Sequence, residues 1–169
     1  MQWPNVTQVL SDTPFAVVDA VATRLYAPER QTRDLDVVIL ADNAAITRKK
    51  LQEAGWTQTS QLSIGGSSWL SPNNEEMDVL EGQETWWAEA IKDAQENRDG
   101  QGLPILPLPY LVLMKFQSGR SIDIADISRM LGQADEDALN ETRKMFSEFE
   151  AEGMEDLESL IELGRLEMQ

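Results

Sequence analysis

The chain has 169 residues, enough for one domain with a real core, and sets 14 Lys and Arg against 30 Asp and Glu, a formal net charge of −16. That balance argues against broad contact with a nucleic-acid backbone, so no DNA backbone binding is expected; a nucleotide held through a metal or a local basic pocket remains open, as does a basic protein partner. With no cysteine and no histidine, disulfides, thiolate chemistry, Ser-His-Asp triads and nearly all zinc sites are excluded, which leaves carboxylates, Lys, Tyr or a metal for any catalysis.

Met1-Gln2-Trp3-Pro4 lacks a basic region followed by an apolar one, and no run approaches the ~20 apolar residues of a membrane span, so no membrane contact and a cytoplasmic location are expected. Residues 5–11 read as a short helix. Residues 15–18 read as a buried strand running into a helix over 20–26, and 27–30 as a loop broken by Pro28. Residues 35–40 form the clearest strand. A helix over 44–54 ends at Gly55, a good capping residue. Residues 56–62, 68–70 and 77–80 read as an antiparallel meander with turns at Gly65-Gly66 and Pro72-Asn73-Asn74. Residues 86–94 are helical. A polar turn over 97–102 leads into an extended, proline-punctuated segment over 103–109. Helices over 110–117 and 122–131 are separated by Ser118-Gly119-Arg120. The tail splits at Gly153 into two amphipathic helices, with stripes Leu139/Thr142/Phe146/Phe149 and Met154/Leu157/Leu160/Ile161/Leu166. The expected organisation is one domain over 1–169, with a sheet-bearing unit over 12–131 and C-terminal helices over 132–169.

The chemistry concentrates in Arg30-Gln31-Thr32-Arg33-Asp34-Leu35-Asp36 and the apolar run behind it. A strand has a side-chain period of two, so Asp34 and Asp36 point to one face. Two carboxylates held together call for a positive charge between them, and a divalent cation such as Mg2+ takes oxygen ligands. Asp78, in Glu76-Met77-Asp78-Val79-Leu80, completes a three-carboxylate site if its strand lies beside the first. In so acidic a chain, Asp-x-Asp also arises by chance at a strand end.

The pattern resembles the polymerase-beta-like nucleotidyltransferase superfamily, and within it the small bacterial group of AbiEii-type toxins and minimal or antibiotic-modifying nucleotidyltransferases. Arg30, Thr32, Asp34 and Asp36 match that family's Arg-x-Thr-x-Asp-x-Asp loop, and Asp78 its third carboxylate. Lys115, Arg120, Asp123 and Asp126 match its helix Lys, following Arg and Asp-x-x-Asp. The likeness covers residues 14–131. It implies an α/β (α+β) fold with a mixed sheet, flanking helices and a C-terminal helical segment. It also implies transfer of a nucleoside monophosphate from a nucleoside triphosphate to a hydroxyl, dependent on Mg2+ or Mn2+. Asp34 and Asp36 would hold the metal, Asp78 would assist the acceptor, and Lys115, Arg30 and Thr32 would contact the nucleotide.

The chain departs from the family at its phosphate turn, where two glycines fall on Asp19 and Ala20. Asp19 puts a carboxylate at a helix start, where it serves as a cap and competes with a phosphate for the N–H groups. The rival reading is therefore a catalytically silent fold acting through a protein partner, in the manner of a toxin–antitoxin pair. Several residues carry two readings. Lys115 is a phosphate contact or a snorkelling lysine, and Arg120 a phosphate contact or a partner of Asp123 or Asp126. Those two aspartates brace the active-site side, or are an N-cap and a surface acid. Trp86 and Trp87 read as a core anchor and a half-exposed neighbour rather than a base-stacking platform. Gly65-Gly66 reads as a hairpin turn rather than a phosphate loop, and Arg48-Lys49-Lys50 as a solvated face. The tail packs on a partner or completes the domain.

Overall fold

The computed structural model describes residues 6–27, 32 and 34–167, which divide into two compact units: 6–21 with 32 and 34–106, and 22–27 with 107–167. Arg30 lies outside the described residues. The sequence placed the helices over 110–117 and 122–131 with the sheet; they cluster instead with the tail.

The first unit is built on a five-stranded mixed sheet. Its strands are β1 (Ala16–Val17), β2 (Leu35–Leu40), β3 (Thr57–Gln61), β4 (Gly66–Leu70) and β5 (Glu76–Gly82), in the order β1-β2-β5-β4-β3. β2 and β5 run parallel, and every other pairing is antiparallel. A parallel pair needs a crossover, and β2 reaches β5 through α3 (Ala44–Glu53) and the β3–β4 hairpin. The interior strand β2 buries Leu35, Val37, Val38 and Ile39 completely, the signature of a strand covered on both faces. α3 ends where the sequence placed its stop. Gly55 adopts φ +83°, its N–H donates to the Gln52 carbonyl at 3.0 Å, and the Trp56 N–H donates to the Leu51 carbonyl at 2.9 Å. These two bonds satisfy carbonyls the helix would otherwise leave open, and buried Leu51 and Trp56 supply the apolar contact that goes with them. The Gly65-Gly66 turn is the expected hairpin, with φ +93° and +121°. A Cβ at Gly66 would lie 2.1 Å from the Val79 carbonyl oxygen, so only glycine passes there.

The second unit is helical: α5 (Leu108–Ser118), α6 (Ser121–Gln133), α7 (Glu136–Phe149) and α8 (Met154–Glu167). α5 begins two residues before the expected Tyr110, because Pro109 falls in the first turn, where a proline's missing N–H costs nothing. Gly119, at φ +65°, turns the chain between α5 and α6. Asp135 caps α7 by accepting from the Ala138 N–H at 2.9 Å. Of the tail stripes, Leu139, Thr142, Phe146, Leu157, Leu160 and Ile161 are buried, Phe149 and Met154 are half-buried, and Leu166 is 59% exposed as α8 runs past its support. α8 lies against α6 with backbones nearly touching: a Cβ at Gly164 would meet the Ser128 carbonyl oxygen at 2.1 Å. Phe116 of α5 meets Phe146 of α7 edge-on at 5.1 Å. The tail therefore completes the core of this unit. No helix among the described residues is long and apolar enough to cross a membrane.

Candidate functional site

Register decides what the sequence could only suggest. β2 and β5 pair so that Asp36 stands directly beside Asp78. The antiparallel pairing of β4 then sets Ser68 beside Asp78, and that of β3 sets Ser60 beside Ser68. Directly paired residues point to one side of a sheet, so Asp36, Asp78, Ser68 and Ser60 form a polar row across four strands. Asp34, two residues upstream of Asp36, has the same parity and is exposed. At about 4.8 Å between strands and about 3.3 Å per residue along them, the three carboxylates crowd one end of one face. They do not form a closed cage: their oxygens are not all within 4.8 Å of one another.

A groove of about 360 Å³ lies along this end of the sheet. Asp34, Glu76 and Asp78 supply its acid groups and Thr59, Ser60 and Ser68 its hydroxyls, with Trp69, Leu70 and Met77 completing the lining. The volume is in the range of small-molecule sites. The sequence missed Thr59, Ser60 and Ser68, because only the pairing of β3 with β4 and of β4 with β5 brings them near Asp78; it also left Glu76 unassigned, although strand parity alone puts it on the Asp78 side of β5. Thr32 is half-buried just before β2.

The turn after β1 sits beside this row, since the Val18 N–H donates to the Asp36 carbonyl at 2.9 Å. The next residue, Asp19, opens α2 (Asp19–Thr23) at φ +51°. An L-residue rarely adopts this left-handed conformation, and glycine adopts it freely. The backbone therefore keeps the shape a glycine would give, with a carboxylate added.

In the helical unit Lys115 is fully buried. Its ammonium donates to Asp123 at 2.8 Å and to Asp126 at 3.0 Å, and both aspartates are buried as well, at 0% and 2% exposure. Ser118 and Arg120 also donate to Asp123, and the Arg129 guanidinium lies 3.5 Å from Asp126. Burial pushes the Asp123 carboxyl up, but the hydrogen bonds from Arg120, Lys115 and Ser118 outweigh it and hold the group below the ordinary aspartate value. Asp123 and Asp126 are thus neither N-cap nor surface acid. The α6 N-cap position is Arg120, and both carboxylates face inward onto the lysine.

Both tryptophans of the Trp86-Trp87 pair are buried, so Trp87 is not the half-exposed neighbour the sequence suggested. Gly82 makes room for it, since a Cβ there would meet the Trp87 ring at 2.6 Å, and its indole N–H donates to Glu84 at 2.7 Å. On α3, Arg48 pairs with Glu81 of β5 at 2.7 Å, so the basic run is not wholly a solvated face.

No family model and no curated protein matches the chain. Two solved structures of the antibiotic-resistance factor ANT(2'')-Ia are similar in fold. The solution structure shares 14% identity at a TM-score of 0.54, covering 96% of this chain and 90% of that one. The crystal structure in complex with adenylyl-2''-tobramycin shares 14% identity at a TM-score of 0.54, covering 97% of this chain and 95% of that one. With its mixed five-stranded sheet and flanking helices, the chain has a nucleotidyltransferase-like fold.

Proposed function

We propose that the protein is a metal-dependent nucleotidyltransferase that moves a nucleoside monophosphate from a nucleoside triphosphate to a hydroxyl-bearing acceptor. One observation carries this reading: Asp36 and Asp78 stand in register on adjacent parallel strands, on the face shared by Asp34 and beside a ligand-sized groove. The donor set is all oxygen and suits Mg2+ or Mn2+. Asp34 and Asp36 would hold the ion, which when bound neutralises triphosphate charge and organises the transferring phosphorus. Asp78, between Asp36 and Ser68, would orient the acceptor hydroxyl and take its proton. Thr32 and Arg30 remain the nucleotide contacts of the loop. We assign Lys115 to holding Asp123 and Asp126 rather than to a phosphate, because its ammonium is buried on two carboxylates. The complex of ANT(2'')-Ia, in which an adenylyl group is joined to tobramycin, supports a small-molecule acceptor.

The test is calorimetric titration of the four nucleoside triphosphates with Mg2+ into wild type and into Asp34→Ala/Asp36→Ala. Metal-dependent binding lost in the double variant supports the reading; equal binding by both proteins removes Asp34 and Asp36 from the site. The AbiEii-like form of the proposal adds growth inhibition on expression, relieved by the same substitutions.

A second reading, a catalytically silent module with a protein partner, draws on Asp19. A carboxylate in the turn beside Asp36 repels a triphosphate, although the backbone shape is kept. Asp19→Gly separates the two. Stronger triphosphate binding identifies Asp19 as a block, and unchanged affinity shows that the turn does not limit binding.

A further inference from the structure

The two edges of the sheet are treated differently. At the β1 edge the Val17 N–H donates to the Pro104 carbonyl at 2.7 Å, and the Leu106 N–H donates to the Val17 carbonyl at 3.0 Å, so the 104–106 segment closes that side. The other edge is β3, whose residues are exposed except half-buried Gln58, and among the described residues no segment pairs with its outer side. An unpaired edge presents a row of N–H and C=O groups to any strand that fits.

Proteins usually guard such an edge with charge or proline. Here neither is present in Thr57-Gln58-Thr59-Ser60-Gln61. The neutrality extends well beyond the strand, since residues 54–74 carry no charged side chain in a chain of net charge −16. Ile64, in the adjoining turn, is 76% exposed. A register shift between Gln58 and Ser60 adds local twist and limits how far pairing extends, but it does not repel a partner.

From this we infer that β3 is a self-association edge that pairs antiparallel with β3 of a second copy. The charge pattern argues for a second copy. Two molecules of −16 repel over most of their surfaces, and the neutral hairpin is where they can touch without setting acid against acid. An antiparallel strand pair has its two-fold axis perpendicular to the sheet. The dimer would therefore carry both carboxylate rows on the same face of one continuous ten-stranded sheet. The contact is short, so the dimer is weak. Neither the inference nor its test depends on the proposed enzyme activity.

Sedimentation equilibrium of the full chain, with and without added salt, tests this. Wild type dimerises, and more tightly at high salt, because screening removes the long-range repulsion while the contact itself is neutral. Gln58→Glu/Gln61→Glu, nearly isosteric and on exposed or half-buried positions, sets like charges across the two-fold axis. It weakens the dimer by at least about tenfold, while circular dichroism and the thermal midpoint stay at wild-type values. A wild type that stays monomeric at high salt, or a dimer that the double variant leaves intact, overturns the inference.

Discussion

Asp36 and Asp78 in the sheet unit, and Asp123 and Asp126 in the helical unit, are the same residue type in opposite surroundings. In the helices the two acids are buried and share one buried ammonium, so their charges are answered inside the fold. In the sheet, Asp36 and Asp78 stand beside each other and are half-buried, with Asp34 exposed next to them. Among the described residues no Lys or Arg forms an ion pair with Asp34 or Asp78. Acids answered by a buried base belong to the architecture. Asp34 and Asp78, which line the groove, are not answered in this way.

The largest expected effect breaks the helical half of that contrast. Lys115→Met removes the one buried ammonium that the two carboxylates share and leaves only the more exposed Arg120 and Arg129 at their edge, and breaking a buried pair in this way costs about 3–5 kcal/mol. Urea denaturation reads it directly. A loss below about 1 kcal/mol would mean that Arg120, Ser118 and Arg129 suffice for Asp123 and Asp126 and that the lysine is not the centre of the network.

The next effect concerns the close crossing of α6 and α8. Gly164→Val puts methyl groups where a Cβ alone would already lie 2.1 Å from the Ser128 carbonyl oxygen. Overpacking of this kind costs about 1–3 kcal/mol. It would lower the thermal midpoint without touching the acids of the sheet, so nucleotide binding should survive at low temperature.

These two sites show where the sequence was legible. That Asp34 and Asp36 share a face was readable because strand parity is local, whereas the place of Asp78 beside Asp36 waited on the pairing of β2 with β5. The Leu51-Gly55-Trp56 helix stop was readable because a glycine at that place has one efficient use. Lys115, Asp123 and Asp126 were ambiguous: helical spacing brings them to one side but does not say whether that side faces water. The hydroxyls beside Asp78 were invisible, because their place depends on pairings between strands separated by turns. Pro109 misled by its identity, since the same residue ends one helix and starts another according to position.

A smaller effect is read by pH. The folded-state pKa of Asp123 is depressed, so its contribution to stability is complete above the unfolded aspartate value of about 3.9 and is lost as pH falls through the folded value. Acidification also relieves repulsion in a chain of net charge −16, which acts in the opposite sense. The informative quantity is therefore the difference between wild type and Asp123→Asn. It should be constant between neutral pH and about pH 5, then shrink below about pH 4. A difference that changes near neutral pH would assign the titration to another group.

The smallest effect has the most telling sign. Asp36 and Asp78 repel across a strand spacing of about 4.8 Å, and like charges placed opposite each other in a sheet cost roughly 0.2–1 kcal/mol. Asp78→Asn should therefore leave the protein as stable as wild type or slightly more stable in the absence of divalent metal. Mg2+ should raise the thermal midpoint of wild type, because an ion bound to the native acids stabilises only the folded state. It should do so far less for Asp78→Asn or Asp36→Asn. Stabilisation on removing a charge, together with loss of the metal response, is what a site kept for binding shows. A structural pair such as Lys115 with Asp123 gives the reverse, destabilisation with no metal response to lose. If Asp78→Asn behaved like a substitution at Lys115, the row on the sheet would be architecture too, and the search for a nucleotide site would move away from it.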